Sequence, residues 1–108
     1  MAFQVEEVAY ELVAELRTVL PRIKSRDRAL ADQLGRAASS VALNIAESNY
    51  SDPGNRKARL FTAAGSANET RAALRVAVEW GYCTAAQAES ARALLERIIA
   101  MLWKLTRA

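Results

Sequence analysis

Apolar residues recur three and four positions apart along most of this chain, a spacing that places them on one face of an amphipathic helix. No run alternates between apolar and polar residues, as a half-buried β-strand would require. Turn-forming residues divide the pattern into four predicted helices, over residues 5–20, 26–49, 55–80 and 85–107. The sequence therefore predicts an all-α fold.

Local signals set the ends of these helices. Pro21 predicts that the first helix stops near residue 20, because a proline removes a backbone N–H and crowds the preceding turn. Residues 49–55 (NYSDPGN) form the strongest turn signal, and Gly81 is a predicted C-cap. Thr84 and Gln87 match a capping box. Because short connections place successive helices antiparallel, we expect one up-and-down four-helix bundle over residues 1–108.

Composition excludes several classes of protein. Hydrophobic residues make up 52% of the chain, with four Gly and two Pro, so a disordered chain is not expected. The chain has no His and one Cys, Cys83, which excludes an internal disulfide framework and a Cys/His zinc site. Without His, an acid–base enzyme is disfavoured. We therefore predict no catalytic residue, no metal and no cofactor. Cys83 is interpreted as an apolar filler, with a reactive thiol at a helix N-terminus, if exposed, as the alternative.

The sequence also lacks signals for membrane insertion and export. No uncharged apolar run approaches the ~20 residues that a membrane-spanning helix needs. The first residues, MAFQVEE, are acidic where a secretory or mitochondrial leader would be basic. The sequence therefore predicts a cytoplasmic protein that has no membrane partner.

The net charge of +3 is distributed in blocks. Residues 1–16 carry four Glu and no base, whereas residues 17–28 and 53–75 are rich in Arg and Lys. Such blocks can form a surface for nucleic-acid phosphates, with ordinary solvated helix ends as the alternative interpretation. Cations in the first turn of the third helix favour a ligand, since they oppose the helix dipole there. The candidate nucleic-acid-binding residues are Arg22, Lys24, Arg26, Arg28, Arg56, Lys57, Arg59, Lys104 and Arg107.

The third predicted helix has more apolar circumference than a single bundle needs. One stripe of apolar residues suits the core, and small and apolar residues continue over more than half of the helix surface. We interpret the excess as an interface between copies of the chain, with a wide monomeric core face as the alternative. The candidate interface residues are Ala73, Val76, Trp80 and Tyr82.

Polar residues form a ribbon beside the apolar face of the second predicted helix. With Glu69 of the third helix they predict a satisfied polar layer that fixes helix register, in which Arg36 contacts Glu69 or Glu47. A catalytic pair of Glu47 and Glu69 is the alternative, but the sequence offers no metal cluster or cleft to support it. The predicted layer consists of Gln33, Arg36, Ser40, Asn44, Glu47 and Glu69.

Three strings in the sequence resemble one family. QLGRAASSVALNIAES (residues 33–48), GSANET (65–70) and EWGYCTAAQAE (79–89) are similar, in order and spacing, to the four-helix-bundle family of ribosomal RNA intervening-sequence (S23-like) proteins. The matching positions are Gln33, Arg36, Ala37, Ser40, Asn44, Ile45, Ala46, Glu47, Gly65, Ser66, Glu69, Gly81 and Tyr82.

The sequence departs from the family pattern at Gly35, where an Arg is usual, at Ser48, where a Gly is usual, and in residues 49–55, which lack a basic linker. The resemblance implies an up-and-down bundle, ring-shaped homopentamers and no catalytic residues. It also implies a relation to the accessory subunit of diversity-generating retroelements, which binds a reverse transcriptase and nucleic acid. Two functions follow as hypotheses: a homo-oligomer that binds RNA, DNA or a nucleic-acid enzyme, and an interaction scaffold without nucleic-acid contact.

Overall fold

Four helices make up the structure, a computed structural model that describes residues 2–107. α1 spans Phe3–Lys24, α2 Arg28–Ser48, α3 Pro53–Glu79 and α4 Ala85–Arg107. No strand occurs within the described range, so the predicted all-α class is confirmed. The observed bounds of α4 are those predicted, and those of α2 and α3 differ from the prediction by one or two residues at each end.

Side chains cap the starts of three helices. Asp27 at α2 and Asp52 at α3 each accept, through a carboxylate oxygen, the backbone N–H three residues further on, at 3.0 Å. The predicted capping box of α4 is confirmed, because Thr84 and Gln87 each accept the other's backbone N–H, at 3.1 and 2.9 Å. Gly81 follows α3 with a φ of 78°, the left-handed conformation that favours glycine, as its predicted capping role requires.

The predicted end of α1 is wrong. The helix continues through Pro21 to Lys24, beyond the predicted stop near residue 20. Pro21 forfeits one helical hydrogen bond, but its carbonyl oxygen accepts the N–H of Ser25 at 3.1 Å. Ile23, in this last turn, is fully buried. Burial of such a side chain contributes about 1.5–3 kcal/mol, which offsets the cost of a proline this close to the helix end.

Each helix packs against two others. α2 lies between α1 and α3, and α4 lies between α3 and α1, so the four helices enclose one core. Leu12, Leu34, Ile45, Leu95 and Ile98 are fully buried there. The molecule measures 42 × 22 × 19 Å, with the long dimension along the helices.

The two ends of the bundle are formed by different segments. At one end, termed the turn pole, the α1–α2 turn meets the α3–α4 turn, and the guanidinium carbon of Arg26 lies 5.7 Å from the centroid of the Tyr82 ring. At the other end, termed the terminal pole, the start of α1 meets the α2–α3 turn, and the Ala2 N–H donates to Oδ1 of Asn49 at 2.8 Å. α4 ends at the terminal pole, since it runs antiparallel to α3.

Candidate nucleic-acid interface

The candidate basic residues do not form one surface. The chain turns between α1 and α2 at one end of the molecule and between α2 and α3 at the other, so the candidate residues of the two basic blocks lie at opposite ends of its 42 Å dimension. The turn pole carries Arg22, Lys24, Arg26 and Arg28, and the terminal pole carries Arg56, Lys57, Arg59, Lys104 and Arg107. The two groups therefore have to be judged separately.

At the terminal pole, the fold itself uses two of the predicted cations. Half-buried Arg56 donates its Nε–H to the carbonyl oxygen of Ser48, the last residue of α2, at 3.4 Å. Arg59 donates to Oδ1 of Asn44 at 3.4 Å. Although Arg56 opposes the dipole of its own helix, it complements the C-terminal end of the neighbouring α2. Two of the three cations in the first turns of α3 therefore have local partners, so the helix dipole alone does not indicate a ligand at this group.

Carboxylates further reduce the positive charge of the terminal pole. Glu6 accepts a hydrogen bond from the α2–α3 turn at 2.7 Å, and Glu47 and Asp52 flank the same turn. Arg107 lies over its own neighbour Trp103, with the guanidinium carbon 3.6 Å from the ring centroid. The mixed charge makes the terminal pole the weaker candidate for binding phosphates.

The turn pole, in contrast, adjoins a groove between α1 and α2 that is lined by further cations. Arg17, Lys24 and Arg36 line this groove, and its carboxylate is Asp32. Together with the predicted turn-pole residues they form a set that we term the basic cluster: Arg17, Arg22, Lys24, Arg26, Arg28 and Arg36. All six side chains are exposed, and within residues 2–107 none of them forms an ion pair. Residues 17–36 contain these six bases and two acids, one of which, Asp27, is engaged in capping α2.

Two members of the basic cluster, Arg17 and Arg36, were not among the predicted phosphate-binding residues. Arg17 and Lys24 are seven residues apart and so share one face of α1, a signal that was available in the sequence. Arg36 had been assigned to the polar layer. Gly35 also lines the groove, and a Cβ built on it would approach Leu20 Cδ1 at 3.9 Å, an ordinary contact. A long side chain at this position would project into the groove, whereas Gly35 leaves it open.

The polar layer is smaller than predicted. Ser40 shares a hydrogen bond with Ser66 across the α2–α3 seam at 2.8 Å, and Asn44 donates to the Ser40 hydroxyl at 3.0 Å. The other four residues, Gln33, Arg36, Glu47 and Glu69, are exposed. Within the described part of the chain Arg36 forms no ion pair with Glu69 or Glu47, so that prediction is wrong. Glu69 lies about 200° around α3 from the buried Ala67, outside the buried arc of the helix, and its side chain is exposed.

Two of the four predicted interface residues are covered by their own chain. Ala73 is 6% exposed and belongs to the core, so its assignment to an intermolecular face is wrong. Tyr82 is half-buried and packs against the same core. Val76 and Trp80 are 42% and 67% exposed. The excess apolar surface of α3 is therefore real but narrower than predicted.

The lone cysteine lies beneath the turn pole. Cys83 is 5% exposed, as expected of an apolar filler. Burial raises the pKa of its thiol, and the positive charge of Arg22 opposes that rise only in part. The thiol is therefore protonated near neutral pH, and a protonated thiol is a poor nucleophile. In residues 2–107, no three His, Cys, Asp or Glu side chains are placed to share a metal ion.

These features define the class of protein: an all-α four-helix bundle with a basic cluster at one pole. The sequence profile of the 23S rRNA-intervening sequence protein family matches residues 1–104, and the chain therefore belongs to that family. The family membership confirms the resemblance carried by the three sequence strings.

A crystal structure of a protein of unknown function from the S23 ribosomal protein family of Bacteroides thetaiotaomicron has a similar fold. Its TM-score is 0.88 over 96% of this chain and 99% of that one, with 20% sequence identity, a level at which the likeness concerns the fold alone. The search of curated proteins found no match. None of the helices within residues 2–107 has an apolar stretch sufficient to cross a bilayer.

Proposed function

We propose that this protein is a cytoplasmic, non-enzymatic, homo-oligomeric bundle that binds nucleic acid through phosphate contacts of the basic cluster. The observation that carries the proposal is the gathering of six exposed cations without ion pairs among residues 2–107. Phosphates are the natural partners of such a surface, since Arg forms charge-assisted, bidentate hydrogen bonds with them.

Fold stability does not account for the whole cluster. Arg22 and Lys24 lie in the last turn of α1, where the helix dipole favours cations. Arg28, however, is the first residue of α2, where the dipole disfavours them. The mutual repulsion of these cations and the position of Arg28 at a helix N-terminus both destabilise the free protein. A bound polyanion would neutralise the cations and so remove both effects.

Binding of this kind depends on backbone charge and therefore on salt. The logarithm of the binding constant should fall linearly with the logarithm of salt concentration, by about 0.7 per phosphate contact for single strands and about 0.9 for duplexes. Base sequence should matter little, because phosphate contacts carry no sequence information directly.

The experiment compares two triple variants that remove the same charge. One carries Arg22→Gln, Arg26→Gln and Arg28→Gln, and the other carries Lys57→Gln, Lys104→Gln and Arg107→Gln at the terminal pole. Fluorescence anisotropy with labelled RNA and DNA between about 50 and 300 mM salt should show a shallower salt dependence in the turn-pole variant, by up to about 2 on the logarithmic slope for single strands and about 2.7 for duplexes. The terminal-pole variant should stay close to the unsubstituted protein. Equal losses in both variants, or binding indifferent to salt, would contradict the proposal.

The outer face of α3 supports self-association. Six exposed residues recur on it at spacings of four and three, which is the seam of a close helix–helix contact: Ala58, Thr62, Gly65, Glu69, Ala72 and Val76. Small side chains allow another helix to approach closely, and the single chain leaves this seam uncovered. The family resemblance favours a pentamer.

Light scattering on the purified protein tests the assembly. The full chain should elute with the mass of several protomers, and Ala72→Glu on the seam should lower that mass. Ala93→Glu is the matched control, since Ala93 is an exposed alanine in the middle of α4. A protomer mass for the unsubstituted chain, or equal effects of the two substitutions, would count against self-association through α3.

An interaction scaffold without nucleic-acid contact is the second candidate. Tyr10, Val13 and Leu43 are 44%, 38% and 64% exposed and line a groove between α1 and α2 on the half of the bundle near the terminal pole. Exposed aromatic and aliphatic residues of this kind anchor protein interfaces. Failure of the protein to retain any nucleic acid at about 50 mM salt, with a partner protein retained after nuclease treatment and lost on Leu43→Glu, would favour this candidate.

A further inference from the structure

We infer that Trp80 is a stacking platform for an unpaired nucleobase, so that the turn pole selects single-stranded over double-stranded nucleic acid; this inference rests on the proposed function. Trp80 is 67% exposed, although it is the C-cap residue of α3 and its backbone is held by the helix. Its N–H donates to the carbonyl oxygen of Val76 at 2.9 Å. The turn at Gly81 then reverses the chain.

The ring of Trp80 is supported from within the protein. Tyr82 stacks against it, with ring centroids 6.4 Å apart and an interplanar angle of 18°. Tyr82 is itself half-buried against the core, and Arg26 lies over it. Loss of solvent, and after it the negative charge of Asp27, raises the pKa of Tyr82, so this supporting ring stays neutral. The platform is therefore held in place while most of the Trp80 surface remains free.

A cation stands next to this aromatic pair. Arg26, whose guanidinium carbon lies over the Tyr82 ring, belongs to the basic cluster, as does Arg28 two residues further along the chain. An exposed aromatic ring beside backbone-binding cations is the combination that single-strand-binding proteins use, because every nucleobase has a face that can stack. In a duplex both faces of a base are covered by its neighbours. A stacking contact at Trp80 thus requires an unpaired base.

Trp103 at the terminal pole shows why exposure alone does not make a platform. Its side chain is 58% exposed, but the guanidinium of Arg107 already occupies a face of the ring at 3.6 Å. Trp80 and Trp103 are the two tryptophans of the chain, so each can be observed alone after the other is replaced by Phe. Trp103 therefore provides a matched control within the same protein.

A second copy of the chain is a poorer occupant of the Trp80 surface than a nucleic acid. A contact between copies that extends beyond the α3 seam over Trp80 would bring their basic clusters together, and like-charge juxtaposition across an interface is unfavourable. A polyanion suffers no such repulsion. The positive charge near Trp80 thus favours a nucleic-acid strand over a second copy of the chain as its partner.

The experiment uses the full chain, with Trp103→Phe as background for fluorescence. Titration with an unstructured single strand, oligo(dT) or oligo(U), should quench Trp80, whereas a duplex of equal length should quench it little. Trp80→Ala should weaken single-strand binding roughly tenfold, the loss typical of one stacked base, and leave duplex binding unchanged. Trp80→Phe should retain most of the affinity, and Trp103→Ala should retain all of it.

The outcomes separate this inference from the proposed function. Binding of neither single strand nor duplex at about 50 mM salt by the unsubstituted protein would overturn both. Salt-dependent binding that Trp80→Ala leaves unchanged, or weakens equally for single strand and duplex, would overturn the stacking role and leave phosphate binding standing. A lower oligomer mass for Trp80→Ala by light scattering, with single-strand affinity unchanged, would assign Trp80 to a contact between copies instead.

Discussion

Asn49 joins the start of α1 to the α2–α3 turn. The residue is 2% exposed; its Oδ1 accepts the Ala2 N–H at 2.8 Å, and its Nδ2 donates to Oε1 of Glu6 at 2.7 Å. The N-cap of α1 has no side chain of its own to satisfy the free N–H groups, so a residue 47 positions away supplies that acceptor. The sequence indicates Asn49 only as one of several turn-forming residues. Its role as a link is not predictable from the sequence, because the packing of α1 brings Ala2 and Glu6 next to it.

Replacing Asn49 tests this connection. Asn49→Ala leaves the Ala2 N–H and Oε1 of Glu6 without their partner, and we expect the free energy of unfolding in urea to fall by about 1–3 kcal/mol. Asn68→Ala, at an exposed position of α3, should change it by less than about 0.5 kcal/mol. Asn49→Asp should destabilise more at neutral pH than at about pH 4, since it sets a second carboxylate against Glu6. Equal stability of Asn49→Ala and the unsubstituted protein would show that solvent replaces this contact.

The helices themselves were largely predictable, because their signals are local. The apolar spacing, the capping box of α4 and Gly81 after α3 are short-range patterns, and each was found as predicted. The end of α1 was not, because the burial of Ile23, a tertiary effect, outweighs the local signal of Pro21. Local chemistry thus sets the helix starts, whereas packing against neighbours decides how far a helix continues.

The start of α3 should make stability depend on acid pH. The hydrogen bonds that the Asn55 backbone N–H and then its side-chain amide donate to Asp52 hold the pKa of this carboxyl below its ordinary value. A lowered pKa in the folded state contributes stability above the unfolded pKa, and this contribution is lost as pH falls through the folded one. Asp52→Ala should therefore be less stable than the unsubstituted protein at neutral pH, with the difference shrinking below about pH 4.

Thermal unfolding by circular dichroism between about pH 2.5 and pH 7 measures this difference. Glu15→Ala, at an exposed position within α1, serves as the control and should show no such loss. A difference between Asp52→Ala and the unsubstituted protein that stays constant over this range would mean that the cap acts through shape and not through charge.

The spatial arrangement of the charged residues was only partly predictable from the sequence. The basic block in residues 17–28 was visible, but the separation of the two blocks depends on the direction in which each helix runs. Arg36 joins the basic cluster because α2 packs beside α1 with Gly35 in the groove, and a linear pattern cannot assign a side chain to one seam or the other. Likewise, Glu69 looked buried because small residues surround it in sequence, whereas it points to solvent. The position of a charged side chain depends on which helices pack together, and this non-local information is absent from the helical periodicity.

The basic cluster should lower the stability of the bundle, because its like charges repel one another and Arg28 opposes the dipole of α2. Arg28→Gln removes a cation from the first residue of α2 and from a group of like charges, and we expect it to raise the free energy of unfolding by about 0.3–1 kcal/mol at low salt. The gain should vanish near 1 M salt, where the Debye length is about 3 Å. Lys104→Gln, at the last turn of α4 where the dipole favours a cation, should instead lower the free energy of unfolding slightly.

Arg28→Gln should also weaken oligonucleotide binding. Added single strand should therefore raise the melting temperature of this variant less than that of the unsubstituted protein. A lower free energy of unfolding for Arg28→Gln at low salt would show that Arg28 stabilises the fold. The proposal that the basic cluster is present in order to bind a polyanion would then fail.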